Sequence, residues 1–339
     1  MAVCVPPGHA YFLVGPTASG KTDAAHLLAR EMGCDLLSVD SMLVYRGMDI
    51  GTAKPESSLL RECRYWGLDL VEPGEPFSLA LFQAEVLRAV EANARKGRGL
   101  VVVGGTGLYV KALVHGLDES PPADMERRRW WESRLLKEGI APLQQELERV
   151  YPVLAASLTE ADRGNARRLI RALDLGAAGV TSVRRGWSEQ MDLTPLTGLQ
   201  LTGLILRSRI EQRVLRMYEG GLLVEVEQLL KNGLEKAPTA CQAIGYAEAI
   251  ACLKGTMTRA TAQAETIRRT WQLARRQRTW FRHQASVRWI EVEATWPVEV
   301  VAARVRQSWA ETGPVRLALP ESLLSSDGSG ASLNDARRS

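Results

Sequence analysis

The sequence predicts an α/β protein, a parallel sheet flanked by helices, on three observations. Short apolar runs recur at Tyr11–Val14, Leu36–Val39, Leu68–Val71, Leu100–Val103, Leu204–Leu206 and Trp289–Val292, the length and composition of strands buried on both faces. Several alternate with helical patterns, Leu79 to Ala94 for example, as they do where helices connect parallel strands. The first run also leads through Gly15-Pro16-Thr17-Ala18-Ser19-Gly20-Lys21-Thr22 into a helical pattern from Asp23 to Met32. That is the strand, glycine loop and helix of a phosphate loop, matched at every fixed position of G-x-x-x-x-G-K-[ST].

The loop carries its own chemistry. Backbone N–H groups from Gly15 to Thr22 are expected to surround phosphate oxygens at a helix N-terminus, Lys21 to reach the terminal oxygens, and the Thr22 hydroxyl to be the metal ligand for Mg²⁺. A diphosphate or triphosphate is the implied ligand, and the core is that of a P-loop NTPase-like fold. The loop does not name the reaction, because kinases, hydrolases and some alkyl transferases hold phosphate this way.

At 339 residues, 45% hydrophobic and 24% charged, the chain is long enough for one large and one smaller domain of ordinary globular composition. Between about Asp118 and Leu199 the strand signal disappears and helical segments replace it, clearest at Glu126–Gly139, Pro142–Val150 and Arg167–Ala178. The reading is a discontinuous core, 1–117 and 199–319, interrupted by an all-helical insertion, 118–198. Long helices are expected from Ser208 to Asn232 and from Thr258 to His283, and residues 320–339 read as a disordered tail of small polar residues. The five cysteines show no C-x-x-C spacing, which argues against a zinc ribbon or a disulfide framework. With no apolar stretch of membrane-spanning length, a cytoplasmic protein without membrane partners is expected, and a monomer.

Two further strand ends carry polar groups. Asp40 follows the second strand and opens the block Asp40-Ser41-Met42-Leu43 through Lys54-Pro55. At that edge of an open parallel sheet ligands bind, so its carboxylate reads as a metal ligand, a general base or a cap for the segment that follows. Gly104-Gly105-Thr106-Gly107 ends another strand in glycines, either to let backbone approach a ligand, with Thr106 as polar handle, or as a plain tight turn.

The charge is uneven. Net charge is only +4, yet Arg268, Arg269, Arg275, Arg276, Arg278 and Arg282 crowd one helical pattern with no acidic residue between them. A uniformly positive face repels itself unless an anion neutralises it, which favours nucleic acid over a solvated surface. Arg163, Arg167, Arg168 and Arg171 form a second basic cluster in the insertion.

Taken in order, GPTASGKT, the Asp40–Pro55 block, GGTGLY, RLIRAL at Arg168–Leu173, QAIGY at Gln242–Tyr246 and RRQRTWFR at Arg275–Arg282 resemble the bacterial tRNA dimethylallyltransferases over roughly residues 10–290. The resemblance implies transfer of a dimethylallyl group from dimethylallyl diphosphate to N6 of adenosine at tRNA position 37, beside the anticodon, with Mg²⁺ and without ATP hydrolysis as the reaction. It implies a helical insertion that grips the anticodon stem-loop. By the family's pattern Asp40 is the base, and Lys21, Thr22, Thr106 and Arg213 complete the catalytic set. Gly15, Pro16, Thr17, Ala18, Ser19, Gly20 and Arg209 join Lys21 and Thr22 on the diphosphate. Arg213 is expected to lie closer to the leaving group than Arg209, against an ordinary ion pair with Glu211 or Glu219. Asp40, Ser41, Met42, Leu43 and Thr106 are implied at the tRNA, together with Arg167, Arg168, Leu169, Arg171, Gly245, Tyr246, Arg275, Arg276, Gln277, Arg278, Trp280 and Arg282.

Leu43, Ala247, Trp271 and Leu273 stand where the family often has Gln, Lys, Arg and Tyr, which bears on the bases read and not on the chemistry. The tail has no Cys or His at ligand spacing, unlike eukaryotic members with a zinc finger. Two other readings use the same phosphate loop: an adenylate isopentenyltransferase acting on free AMP, ADP or ATP, and a small-molecule kinase. A free nucleotide has no need of two separate basic surfaces, and acceptor competition separates that reading; the kinase predicts phosphate transfer from ATP and no prenylated product, and a non-catalytic RNA-binding protein with a vestigial phosphate loop predicts tRNA binding without activity.

Overall fold

The computed structural model describes residues 5–116, 121, 124–182, 194–237 and 239–319; the tail expected at 320–339 lies outside them. The chain divides into two compact units, 1–116 with 192–339, and 117–191.

The larger unit is built on β1 (His9–Val14), β2 (Asp35–Val39), β3 (Tyr65–Trp66), β4 (Leu100–Gly104), β5 (Leu196–Gln200), β6 (Val287–Glu291) and β7 (Val315–Arg316). Their order is β3-β2-β4-β1-β5-β6, parallel throughout, with β7 added antiparallel to β1. β2 and β4 are buried at every residue and β1 at all but its first, as a parallel sheet covered on both faces requires. Register places the site: Val14 and Val39 both pair with Gly104, so β1, β2 and β4 end at one level and release Gly15, Asp40 and Gly105 side by side.

Helices α1 (Lys21–Met32), α2 (Ser57–Glu62), α3 (Leu79–Lys96) and α4 (Gly107–His115) lie in the first half of this unit. One buried cluster packs α1 against Leu13, Leu36, Val101 and Leu199; another joins Phe12, Val39 and Val102 to Phe82, Val86 and Tyr109. The smaller unit holds α5 (Met125–Glu138), α6 (Ala141–Val150), α7 (Pro152–Ser157), α8 (Glu160–Arg163) and α9 (Ala166–Ala177). Its own core comprises Trp131, Leu143, Leu147, Leu154, Leu169, Ile170 and Leu173. The larger unit resumes with α10 (Gly203–Glu219), α11 (Leu222–Lys231), α12 (Tyr246–Leu253), α13 (Arg259–Gln284) and α14 (Val298–Thr312).

Four sequence expectations shift. Leu204–Leu206 is helical, not extended: Leu206, Ile210, Val214 and Tyr218 are buried at four-residue spacing while Leu204 stays 84% exposed, a period that belongs to a helix face. The strand sits earlier, at Leu196–Gln200, where Thr197 and Gly198 weaken the apolar pattern; the sheet therefore resumes before residue 199. Leu68–Val71 is not a strand, because Asp69 adopts φ +52° and breaks the run, leaving one bridge between Val71 and Tyr45. The helix expected from Ser208 to Asn232 is two, separated at Gly220-Gly221. The thiols of Cys34 and Cys63 are buried and unpaired, with Cys34 pushed up to about 11 by burial, which makes it an inert core residue.

Candidate active site

The phosphate loop leaves β1 at Gly15 and enters α1 through Gly20, which has φ +83° and offers no side-chain cap. The first N–H groups of α1 are therefore open to an anion. Lys21 Nζ donates to the Pro16 carbonyl at 3.1 Å. Burial lowers its pKa to about 8, partly offset by Asp40 and reinforced by Arg213. Ser19 Oγ is buried without a hydrogen-bond partner among the described residues, a cost of about 1–3 kcal/mol that a ligand would recover.

Two arginines of α10 reach this loop from one helix face. Arg213 Nη1 donates to Thr17 Oγ1 at 3.0 Å and Nη2 to the Thr52 carbonyl at 3.3 Å. Arg209 Nη1 lies 3.5 Å from the Ser19 carbonyl. Neither pairs with Glu211, which takes Arg207 instead. Burial pushes the Arg213 guanidinium down, against Asp40 and Asp23, yet an arginine stays charged at neutral pH. Lys21, Thr22, Lys54, Arg209, Arg213 and Arg216 share a cleft of about 1040 Å³, a cationic pocket suited to a phosphorylated ligand. Arg216 escaped the sequence reading although it stands one turn beyond Arg213.

Mg²⁺ is tested by the donor set. Among the described residues no three His, Cys, Asp or Glu converge on one point. Mg²⁺ characteristically keeps waters and takes substrate phosphates with one or two protein oxygens. The Thr22 hydroxyl in the cleft and the orphaned Ser19 Oγ fit that pattern.

Asp40 and Thr106 meet at the neighbouring strand ends. Asp40 Oδ1 accepts the Met42 N–H at 2.9 Å, closing an Asx turn. The Ser41 N–H donates to Thr106 Oγ1 at 3.2 Å, and the Thr106 N–H to the Val39 carbonyl at 3.1 Å. Thr106 thus fixes the segment carrying Asp40. Asp40, Ser41, Met42 and Leu43 are partly exposed. No helix follows Asp40, which removes the helix-cap reading.

Helix α13 closes the other side of the loop. Gln277 Oε1 accepts the Thr17 N–H at 2.8 Å. A Cβ on Gly105 would come within 2.4 Å of Gln277 Nε2, and one on Gly107 within 2.3 Å of Trp280 Cδ2, so these glycines serve close packing against α13. Gln277 and Trp280 therefore face the loops and not open surface. Leu169 and Tyr246, expected at the tRNA, are fully buried, and the Tyr246 hydroxyl donates to Glu225 at 2.6 Å. Gly245 is buried as well, its N–H bound to Glu248 Oε2. All three fill buried positions, which a motif cannot reveal.

The surface arginines divide by partner. Arg268 pairs with Glu265 and Arg269 with Glu248, whereas Arg282 bonds Gln200 Oε1. Arg275 and Arg276 are exposed and Arg278 is partly so, with no hydrogen-bond or ion-pair partner among the described residues. In the smaller unit Arg168 pairs with Asp162, Arg171 Nη2 bonds the Pro121 carbonyl, and Arg167 is exposed.

A phosphate loop under converging arginines, beside a carboxylate and a threonine at adjacent strand ends, defines a protein of the phosphate-loop class with a cationic cleft at the sheet edge. The family model described as IPP transferase matches residues 43–284. The tRNA dimethylallyltransferase of Thioalkalivibrio sulfidiphilus is 40% identical over 316 residues, 90% of this chain and 98% of the relative. Among solved structures, the tRNA isopentenylpyrophosphate transferase of Bacillus halodurans superposes with a TM-score of 0.64 at 32% identity, covering 90% of this chain and 98% of that one. A eukaryotic dimethylallyltransferase acting on tRNA shares the fold, with a TM-score of 0.68 at 19% identity over 93% of this chain and 83% of its own. The chain belongs to the IPP transferase family, the tRNA dimethylallyltransferases.

Proposed function

We propose that the protein transfers a dimethylallyl group from dimethylallyl diphosphate to N6 of adenosine 37 in tRNA, releasing diphosphate. The observation that supports this reading is the common level of Val14, Val39 and Gly104, from which the phosphate loop, Asp40 and Gly105-Thr106 leave adjacent strands.

The N6 lone pair of adenine is delocalised into the ring, so attack requires a strongly electrophilic allylic carbon. The C1–O bond to the diphosphate breaks as the N6–C1 bond forms, and the bonding pair leaves on the diphosphate oxygen. Lys21, Arg209, Arg213 and the N–H groups of Gly15, Ala18, Ser19, Gly20 and Thr22 meet that developing charge; Thr17, its N–H held by Gln277, and Pro16, its carbonyl held by Lys21, supply the loop's shape. Donors fixed in advance favour the transition state over the ground state. The Asp40 carboxylate takes the proton lost by N6, held in place by Met42 and Thr106. Thr22 would hold Mg²⁺, which would supply positive charge towards the leaving group.

The adenosine must leave its loop stack to reach Asp40, at a cost of a few kcal/mol that phosphate contacts elsewhere offset. Arg275, Arg276, Arg278 and Arg282 on α13, and Arg167 in the smaller unit, are suited to those contacts, and Ser41, Met42 and Leu43 to the neighbouring bases. The test is incubation with dimethylallyl diphosphate, Mg²⁺ and bulk tRNA, followed by nucleoside mass analysis, with AMP as parallel acceptor. Prenylated adenosine in tRNA alone is expected. Product on AMP alone, or no product on either acceptor, would overturn the reading.

A further inference from the structure

We infer that Glu225, on α11, is a positioning residue for the leaving-group site, acting through the segment Met48–Thr52 on Arg213. The inference rests on the proposed transfer and adds a residue to it.

Its carboxylate gathers donors from two directions. Oε2 accepts the Ile50 N–H at 2.7 Å and the Asp49 N–H at 3.1 Å; Oε1 accepts the Tyr246 hydroxyl at 2.6 Å, with the Gly51 N–H at 3.4 Å. Successive backbone N–H groups converging on one anion form a nest, and bonds to an ionised acceptor are the stronger kind. Tyr246 sits so close beneath the segment that a Cβ on Gly51 would approach its Cε2 to 2.4 Å. Thr52 Oγ1 closes the turn on the Met48 carbonyl at 2.6 Å. From the far side Lys54, whose side chain is 4% exposed, bonds the Tyr45 carbonyl and pairs with Asp49 and Asp69.

The purpose of so much restraint lies at the end of the segment. The Thr52 carbonyl accepts from Arg213 Nη2, and the same guanidinium donates through Nη1 to Thr17 in the phosphate loop. Glu225 thereby sets the Thr52 carbonyl, the carbonyl sets the plane of Arg213, and Arg213 faces the departing diphosphate. Misplacement of a charged group by about 1 Å can cost on the order of a hundredfold in rate. A carboxylate distant from the reaction thus has a route to it, whereas a purely structural Glu225 would affect folding alone.

The experiment is a double-mutant cycle between Glu225→Gln and Arg213→Gln, with Tyr246→Phe and Glu225→Asp alongside. Readouts are turnover on tRNA, affinity for inorganic pyrophosphate, affinity for tRNA and the thermal midpoint. Glu225→Gln is expected to lower turnover and pyrophosphate affinity about tenfold with tRNA affinity unchanged, and to cost less than about twofold once Arg213 is already Gln. Glu225→Asp keeps the charge with a shorter reach and is expected to lose less. Equal losses in both backgrounds, or a lower thermal midpoint with pyrophosphate affinity intact, would overturn the inference. Should the wild-type enzyme bind pyrophosphate yet prenylate no tRNA, the proposed function fails by itself, and the pyrophosphate cycle still decides whether Glu225 acts through Arg213.

Discussion

Gln277 of the arginine-rich helix accepts the backbone N–H of Thr17 in the phosphate loop at 2.8 Å. The helix that offers Arg275 and Arg276 to solvent is therefore bonded, through the residue between them and the next arginine, to the phosphate loop. Deleting that acceptor leaves a partly buried N–H unpaired, at about 1–3 kcal/mol. Gln277→Leu is expected to weaken pyrophosphate binding by about tenfold while changing tRNA affinity less than threefold. Separate titrations with pyrophosphate and tRNA check it; a loss confined to tRNA would return Gln277 to the RNA surface.

Asp40 has two tasks in this geometry, and they separate by substitution. One oxygen closes the Asx turn onto the Met42 N–H, a role that the Asn carbonyl can fill. The other is the proposed proton acceptor, a role that Asn cannot fill. Asp40→Asn should lower single-turnover transfer about 10²–10⁴-fold with tRNA and pyrophosphate affinities retained, whereas Asp40→Ala should also weaken tRNA binding by loosening Ser41–Leu43. Single-turnover rates with both variants check this, and a fully active Asp40→Asn would remove Asp40 as base.

Lys21 gives the site a pH dependence with a definite sign. Burial lowers its pKa from 10.5 to about 8; Asp40 opposes this, Arg213 adds to it and Asp23 opposes it. A lysine with a lowered folded pKa costs stability that is absent above 10.5, grows as pH falls towards 8 and is complete below it. A bound diphosphate restores the charge, so binding between about pH 8 and 10 takes up a proton. A diphosphate monoester, whose own last ionisation lies near about pH 6, should bind with steady affinity from pH 7 to 8 and progressively more weakly above. Calorimetry at pH 9 in two buffers of different ionisation enthalpy should register the uptake, and Lys21→Arg should abolish it. Binding without proton uptake at pH 9 would contradict the lowered pKa.

What the sequence disclosed follows from where information is local. The phosphate loop, Asp40 and Thr106 are read from residues within a few positions of a strand end, and a strand end has a known side in a parallel sheet. Glu225 was invisible because its partners Asp49, Ile50 and Gly51 lie some 175 positions away, and nothing in a helical Leu-Val-Glu-Val marks the carboxylate. Strand β5 was misplaced because Thr197 meets its partner Ser308 only in the fold; read alone, the threonine looks like a break in an apolar run. Tyr246 shows the converse: its motif is specific to the family, but family resemblance does not distinguish a residue that touches RNA from one that supports the wall behind it.

The paired and unpaired arginines of α13 predict different salt responses. Arg268 already holds Glu265, in a local i, i+3 bridge, and such exposed pairs contribute little either to stability or to the net field. Arg275 is exposed and has no partner among the described residues, so its charge is available to an RNA phosphate. Each phosphate contact releases about one condensed counterion, which appears as the slope of log affinity against log salt. Arg275→Ala should reduce that slope by about one and weaken tRNA binding uniformly across sequences, with pyrophosphate affinity unchanged. Arg268→Ala should leave the slope within error of the wild type. Filter binding of tRNA from 50 to 200 mM salt, roughly the range in which such slopes are read, decides between them. Equal slopes for wild type and Arg275→Ala would place the tRNA on another face of the molecule.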